Sequence, residues 1–159
     1  MAGSTDRVMT ANEPWKTNVK GRFYFEITSQ SGIMLPVTQD KNDIFRDPAA
    51  PFVFGEIVKR LRVRGYDVSD PRQGKGCFVS RASFPRLALD LMLMIERQNG
   101  VAKFRFWGLP RRRLFRNATP SPSDLMDWEA MCDVVQVILE QELKVAALRR
   151  MSHHEAFGR

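Results

Sequence analysis

Apolar and polar positions alternate in distinct ways along the chain. Over residues 22–27 they alternate with the period of two that is typical of a β-strand, and the turn residues at 29–32 favour a second strand over 33–37. Over residues 52–65 apolar positions recur every three or four residues, which predicts an amphipathic helix ending at a glycine. The outer side of this helix is basic, with Lys59, Arg60, Arg62 and Arg64.

Two hairpins are predicted after this helix. The first joins residues 66–69 to 77–81 through a loop rich in Pro and Gly. The second turns at Asn99-Gly100, a preferred pair for a type I′ turn because both central residues need a positive φ. Such a turn sets Gln98 opposite Val101 and fixes the register of both strands. The pairs that follow are Glu96 with Lys103, Ile95 with Phe104, Leu93 with Phe106 and Met92 with Trp107.

A long helix is predicted near the C-terminus. Ser123 or Asp124 can cap its start, and cations lie toward its end, where the helix dipole favours them, namely Lys144, Arg149 and Arg150. Its apolar stripe consists of Leu125, Trp128, Cys132, Val135, Ile138 or Leu139, and Leu143. We therefore expect an α+β domain over residues 21–150, in which an antiparallel sheet of about four to six strands carries both helices on one face. Residues 1–20 are expected to be a poorly ordered arm, and 151–159 a C-terminal tail.

Length and composition agree with one domain. The chain has 159 residues, of which 43% are apolar and 27% charged, as in a globular protein. Charged residues interrupt every long apolar stretch, so we expect no membrane span. The first ten residues lack the pattern of a secretory signal, and two cysteines are too few for a disulfide scaffold. These features predict a cytoplasmic protein.

The net charge of +7 is unevenly distributed along the chain. Residues 56–116 carry fifteen basic and five acidic side chains, whereas the flanking segments are neutral or acidic. A concentrated basic field attracts polyanions, so nucleic acid or nucleoprotein is the leading predicted partner. The candidate phosphate contacts are Lys59, Arg60, Arg62, Arg64, Lys103, Arg105, Arg111, Arg112, Arg113 and Arg116. The alternative is that this charge serves only solubility.

The order helix, strands, helix is similar to that of double-stranded-RNA-binding domains. Those domains begin their final helix with lysines, whereas this chain reads Ser123-Asp124-Leu125-Met126-Asp127, which would repel phosphate. No binding residue is therefore transferred from that family to this chain.

The residue pattern does not favour catalysis. Phosphate-binding glycine motifs and zinc-ligand spacings are absent, and the two histidines, His153 and His154, are adjacent in the predicted tail. The segment from Asp90 to Lys103-Phe104-Arg105 loosely resembles the metal site of restriction-endonuclease-like nucleases, but a lysine replaces the second carboxylate. We expect no enzyme activity, cofactor or metal, and a degenerate nuclease-like domain is a minor alternative.

The second face of the Asn-Gly hairpin suggests a protein partner instead. Met92, Met94 and Trp107 share this face with cations, and methionine, tryptophan and arginine are common in interfaces. An adaptor, an inhibitor, an immunity-type protein or one subunit of a homodimer would have such a face. Another possibility is that the N-terminal arm or the long helix covers it. The sequence favours a non-catalytic binding protein, with nearly equal support for nucleic acid and protein as the partner.

Overall fold

The computed structural model describes residues 18–37, 47–111 and 120–158, and a single antiparallel sheet lies at its centre. The strands are β1 (Arg22–Ile27), β2 (Asp67–Val68), β3 (Arg72–Gln73), β4 (Phe78–Ser83), β5 (Ala88–Gln98), β6 (Val101–Pro110) and β7 (Ala146–Met151). The helices are α1 (Ala49–Val63), α2 (Pro122–Val137), which continues as a π-helix over Ile138–Glu142, and α3 (His153–Phe157). Among these described helices, none is long and apolar enough to cross a membrane.

The sheet has the strand order β2-β4-β5-β6-β1-β7, with β3 also paired to β4. All of its ladders are antiparallel. The α+β class and the helices packed on one face are as predicted, although the described sheet has seven strands where four to six were expected. The central position of β1, between β6 and β7, determines how the surface described below is assembled.

The register predicted for the Asn-Gly hairpin is confirmed. Asn99 and Gly100 have φ values of 53° and 80°, as a type I′ turn requires. Gln98 pairs with Val101, Glu96 with Lys103 and Met92 with Trp107. The apolar residues of the opposite face are buried, as expected: Leu91, Leu93, Ile95, Phe104 and Phe106.

The core lies between the sheet and the two longer helices. Val53, Phe54, Ile57 and Leu61 of α1 are completely buried, and Phe54 meets Phe106 edge to face with ring centroids 5.8 Å apart. The predicted stripe of α2 is also buried, apart from Leu125, which is only partly so. Two glycines let α2 approach closely, because a Cβ at Gly21 or Gly108 would lie 3.0 or 3.2 Å from Trp128. Small residues therefore set the distance between α2 and the sheet.

Three details of the predicted elements are wrong. Residues 33–37 do not form a strand, because β6 and β7 already occupy both edges of β1. Helix α2 is capped by Ser121 and not by Ser123 or Asp124, since the Ser121 hydroxyl accepts a hydrogen bond from the Asp124 amide while the Asp124 carboxylate accepts one from the Ser121 amide. The helix also ends before Lys144, so that Arg149 and Arg150 lie in β7.

The start of α1 is fixed by a buried ion pair with the end of β5. Asp47 is 3% exposed, and its carboxylate accepts hydrogen bonds from the Ala49 amide at 3.0 Å and from Nε and Nη2 of Arg97. Burial alone would raise the pKa of Asp47, but the hydrogen bonds from Arg97 and Ala49 outweigh it and lower that pKa. The pair joins the helix layer to the sheet.

We predict that Asp47→Asn lowers the free energy of unfolding by about 1.5–3 kcal/mol, the range for hydrogen bonds to charged groups. Because the folded-state pKa of Asp47 is lowered, the charged pair contributes fully above the ordinary carboxyl pKa and is lost as the pH falls through the lowered value. Urea unfolding at several pH values should therefore show the difference between wild type and variant shrinking on acidification. A difference that stays constant down to pH 2 would contradict this account.

A second prediction uses two glycines with open space around them. Gly100→Val should lower the free energy of unfolding by about 1–2 kcal/mol, because a β-branched residue is strained at φ 80°. The matched control is Gly55→Ala in α1, which should raise it by roughly 0.5–1 kcal/mol. Neither added Cβ meets another atom within 4 Å. Thermal melts of both variants should move in opposite directions.

Candidate functional site

The face of the sheet opposite α1 and α2, here called the outer face, carries polar and aromatic side chains. Alternation along each strand determines its members, which point away from the core. On β1 they are Arg22, Tyr24 and Glu26; on β5, Asp90, Met92, Met94 and Glu96; on β6, Lys103, Arg105 and Trp107; and on β7, Arg149 and Met151. The candidate residues Lys103, Arg105, Met92, Met94 and Trp107 thus share one surface.

Tyr24 lies at the centre of this surface with a guanidinium group on each side. Arg105 of β6 is its direct cross-strand partner on one side, and Arg149 of β7 on the other. Their Cζ atoms lie 5.6 and 5.3 Å from the centroid of the Tyr24 ring, within the range of a cation–π contact. A shallow groove of about 490 Å³ runs past Tyr24, and these three side chains line it. We call Tyr24, Arg105 and Arg149 the tyrosine triad.

Two carboxylates line the same groove and are only loosely paired. Glu26 lies 3.9 Å from Lys103 Nζ, and Glu96 lies 3.9 Å from Arg105 Nη2. Such partly exposed pairs at the limit of ion-pair distance contribute little to stability. Arg149 is exposed and forms no ion pair with the described residues. The cations of the groove are therefore weakly neutralised.

A second aromatic group lies beside the triad. Trp107 pairs with Arg22, which places it diagonally next to Tyr24 on the outer face. The Arg22 guanidinium lies 5.8 Å from the Trp107 ring and 4.6 Å from the ring of Phe157 in α3. Burial lowers the pKa of Arg22 from its usual value, and Tyr24 opposes that shift. Aromatic rings and guanidinium groups thus alternate across this part of the sheet.

A β-bulge in β7 brings Arg149 into the triad. Tyr24 pairs with Arg149 and Glu26 with Ala146, so Ala147 and Leu148 together face one residue of β1. Ala147 has φ 54°, in the left-handed region. The bulge allows Leu148 to pack against the core while Arg149 faces outward. The sequence interpretation missed this contact because it placed Arg149 in a helix.

The basic residues predicted on α1 lie on the other side of the core, and most of them have intramolecular partners. Arg60 pairs with Glu56 at 3.0 Å and with Glu142 at 3.6 Å, and Arg64 also pairs with Glu142. Arg62 binds Asp70 at 2.9 Å. Lys59 is exposed. The helix cations and the outer-face cations thus form two separate groups.

The arginine-rich connection lies mostly outside the described residues. Arg112, Arg113 and Arg116 fall there, whereas Arg111 is described and is exposed just after β6. The Arg111 amide donates a hydrogen bond to the Ala88 carbonyl at 2.7 Å. This bond continues the β5–β6 ladder by one residue.

The methionines of the predicted protein interface are half-buried. Met92, Met94 and Trp107 are each of intermediate exposure. The exposed large apolar side chains among the described residues are Met34, Val37, Phe52, Val63, Met126, Val137 and Phe157, and of these Phe157 lies next to Arg22 of the outer face. The outer face is consequently not a broad apolar patch of the kind that protein interfaces bury at their centre.

The groups considered for catalysis do not converge. Asp90 pairs with Leu109, and Lys103 pairs with Glu96, which places them at opposite ends of the hairpin and about 20 Å apart along it. His153 lies in α3 with its Nδ1 3.3 Å from Arg22, so part of the predicted tail is a short helix. In the described parts of the chain, no group of three His, Cys, Asp or Glu residues could hold a metal ion. Burial raises the pKa of the Cys132 thiol to about 12, and that side chain is enclosed in the core.

Comparison with known protein families, with curated proteins and with solved structures gives no match.

The bulge provides a test of how the triad is held. Ala147→Val should lower the free energy of unfolding by roughly 1–3 kcal/mol, because a β-branched residue is strongly disfavoured at φ 54°. Ala147→Gly, the matched control, should stay within about 1 kcal/mol of wild type, since glycine adopts this conformation freely. Urea unfolding measures both variants. Equal stabilities for the two would show that the bulge does not constrain β7.

Proposed function

We propose that this protein is a non-catalytic binding protein that engages a polyanionic macromolecule through the outer face of its sheet. The observation that carries the proposal is the tyrosine triad, in which two guanidinium groups flank an aromatic ring beside a groove. Arginine binds phosphate oxygens through a planar fork of donors and also stacks on flat rings, so this arrangement suits nucleic acid.

The pairing of the cations supports the outer face over the helix layer. Arg60, Arg62 and Arg64 each have a carboxylate partner at short range, whereas Arg149 has none among the described residues. A phosphate that binds an unpaired cation need not displace a carboxylate first. The proposal therefore shifts the main contacts from the α1 cations to Lys103, Arg105 and Arg149.

The half-buried methionines make a protein partner less suitable, because Met92 and Met94 would offer little exposed apolar surface to the centre of an interface. A cytoplasmic location is part of the proposal. Both described cysteines, Cys77 and Cys132, are free thiols, which supports a reducing compartment.

The proposal predicts salt-dependent binding that depends on the outer face. Changing Lys103, Arg105 and Arg149 together to Gln should weaken retention on heparin and binding to mixed oligonucleotides. The slope of log affinity against log salt should fall by about 2, since three phosphate contacts to a single strand are lost. Fluorescence anisotropy across a salt series measures both quantities.

The matched control removes the same charge from the helix layer, by changing Lys59, Arg62 and Arg64 together to Gln. This variant should keep most of the affinity and the slope. A larger loss in the control than in the outer-face variant would move the site to α1. Absence of polyanion binding by the wild-type protein at low salt would refute the proposed function.

A further inference from the structure

We infer that the outer face binds single-stranded nucleic acid, with Tyr24 and Trp107 as stacking platforms for two bases. This inference rests on the proposed function and identifies its ligand. The two rings belong to neighbouring strands, since Tyr24 pairs with Arg105 and Trp107 with Arg22 in the β1–β6 ladder. Diagonal positions of such a ladder are about 7–8 Å apart, which places both rings within one short nucleotide stretch.

The alternation of rings and cations supports stacking with phosphate contact on either side. The Arg105 and Arg149 guanidinium groups lie over the Tyr24 ring, 5.6 and 5.3 Å from its centroid, so a base that stacks on Tyr24 takes the place of one of them and leaves that guanidinium beside the nucleic-acid backbone. Arg22 occupies the equivalent position between Trp107 and Phe157. Single-strand binding surfaces combine aromatic platforms with a cationic track in this way.

A duplex would make poor use of this surface. In double-stranded nucleic acid the base rings are stacked inside, and a protein reaches them only at their edges in the grooves. The major groove admits an α-helix or a two-stranded β-ribbon, and the face of this seven-stranded sheet is wider than either. The unstacked bases of a single strand, by contrast, present their faces to aromatic and guanidinium groups.

The remaining side chains of the groove are consistent with a nucleotide ligand. Lys103 donates a hydrogen bond to the Gln98 side chain at 2.9 Å, which holds its ammonium group at the rim. Glu26 and Glu96 form only loose ion pairs with Lys103 and Arg105, at 3.9 Å, and as hydrogen-bond acceptors they suit the amino groups of exposed bases. A volume of about 490 Å³ lies within the range of small-ligand sites.

The test compares ring-removing with ring-keeping substitutions. Tyr24→Leu and Trp107→Leu should each weaken binding to a mixed single-stranded oligonucleotide of about a dozen nucleotides by roughly tenfold. Tyr24→Phe and Trp107→Phe should bind nearly as wild type, because the platform remains. Retention on heparin, which has no bases, should be the same for all four variants. Wild type should bind the single strand more tightly than a duplex of the same sequence at equal salt.

A second measurement does not depend on the leucine variants folding. Base stacking should quench the fluorescence of Trp107, so the quenching by oligonucleotide should decrease in Trp107→Phe relative to wild type. Parallel DNA and RNA oligonucleotides in both measurements establish which sugar is preferred.

Four outcomes would overturn the inference. Equal affinity for single strand and duplex, or unchanged binding in both leucine variants, would leave a polyanion site without stacking, and the proposed function would stand. Unchanged quenching in Trp107→Phe would exclude Trp107 as a platform. Dimerisation of the wild-type protein that Trp107→Leu abolishes, without oligonucleotide binding, would make the face a protein interface and would refute the proposed function as well.

Discussion

The register of the β5–β6 hairpin is the constraint on which the rest of the structure depends. Asn99 and Gly100 both take the positive φ of a type I′ turn, and this sets Glu96 opposite Lys103. A slip of one residue would turn Phe104 and Phe106 out of the core and Arg105 into it. Because β1 adds to β6 with Tyr24 opposite Arg105, the same turn also places Arg105 on the outer face beside the tyrosine ring. The core and the outer face therefore share one local determinant.

Strand β7 shows how tertiary pairing overrides local sequence preference. Residues 145–150 contain alanine, leucine and arginine, which favour a helix, and no glycine or proline marks the end of α2. The helix nevertheless loosens into a π-helical turn over Ile138–Glu142, and Lys144 adopts φ 49°. The following residues then satisfy the free edge of β1, and Arg150 reaches back to Asp133 at 2.7 Å. The edge of β1 supplies the backbone partners that a longer helix would have supplied within itself.

These two elements show how far the sequence alone leads. The hairpin was predictable, down to its pairs, because its signals are local: an Asn-Gly turn between strands of clear alternation. The amphipathic face of α1 and the stripe of α2 were predictable for the same reason. Strand β7 was not predictable, because it depends on a contact between residues more than a hundred positions apart. The place of Arg149 beside Tyr24 was not predictable for the same reason. The outer face was thus recognised through Met92, Met94 and Trp107, but its triad was missed.

The density of basic residues along the chain does not by itself show where the folded surface carries unpaired positive charge. Residues 56–116 hold most of the basic excess, yet several of their arginines pair with carboxylates from distant segments, as Arg64 does with Glu142 and Arg97 with Asp47. Arg149 comes from a segment of net negative charge but lies exposed beside an aromatic ring. A cation contributes to ligand binding only as far as its own fold leaves it unpaired. The long-range pairing of the sheet, more than the local density of arginine, therefore decides where weakly paired cations lie on the surface of this fold.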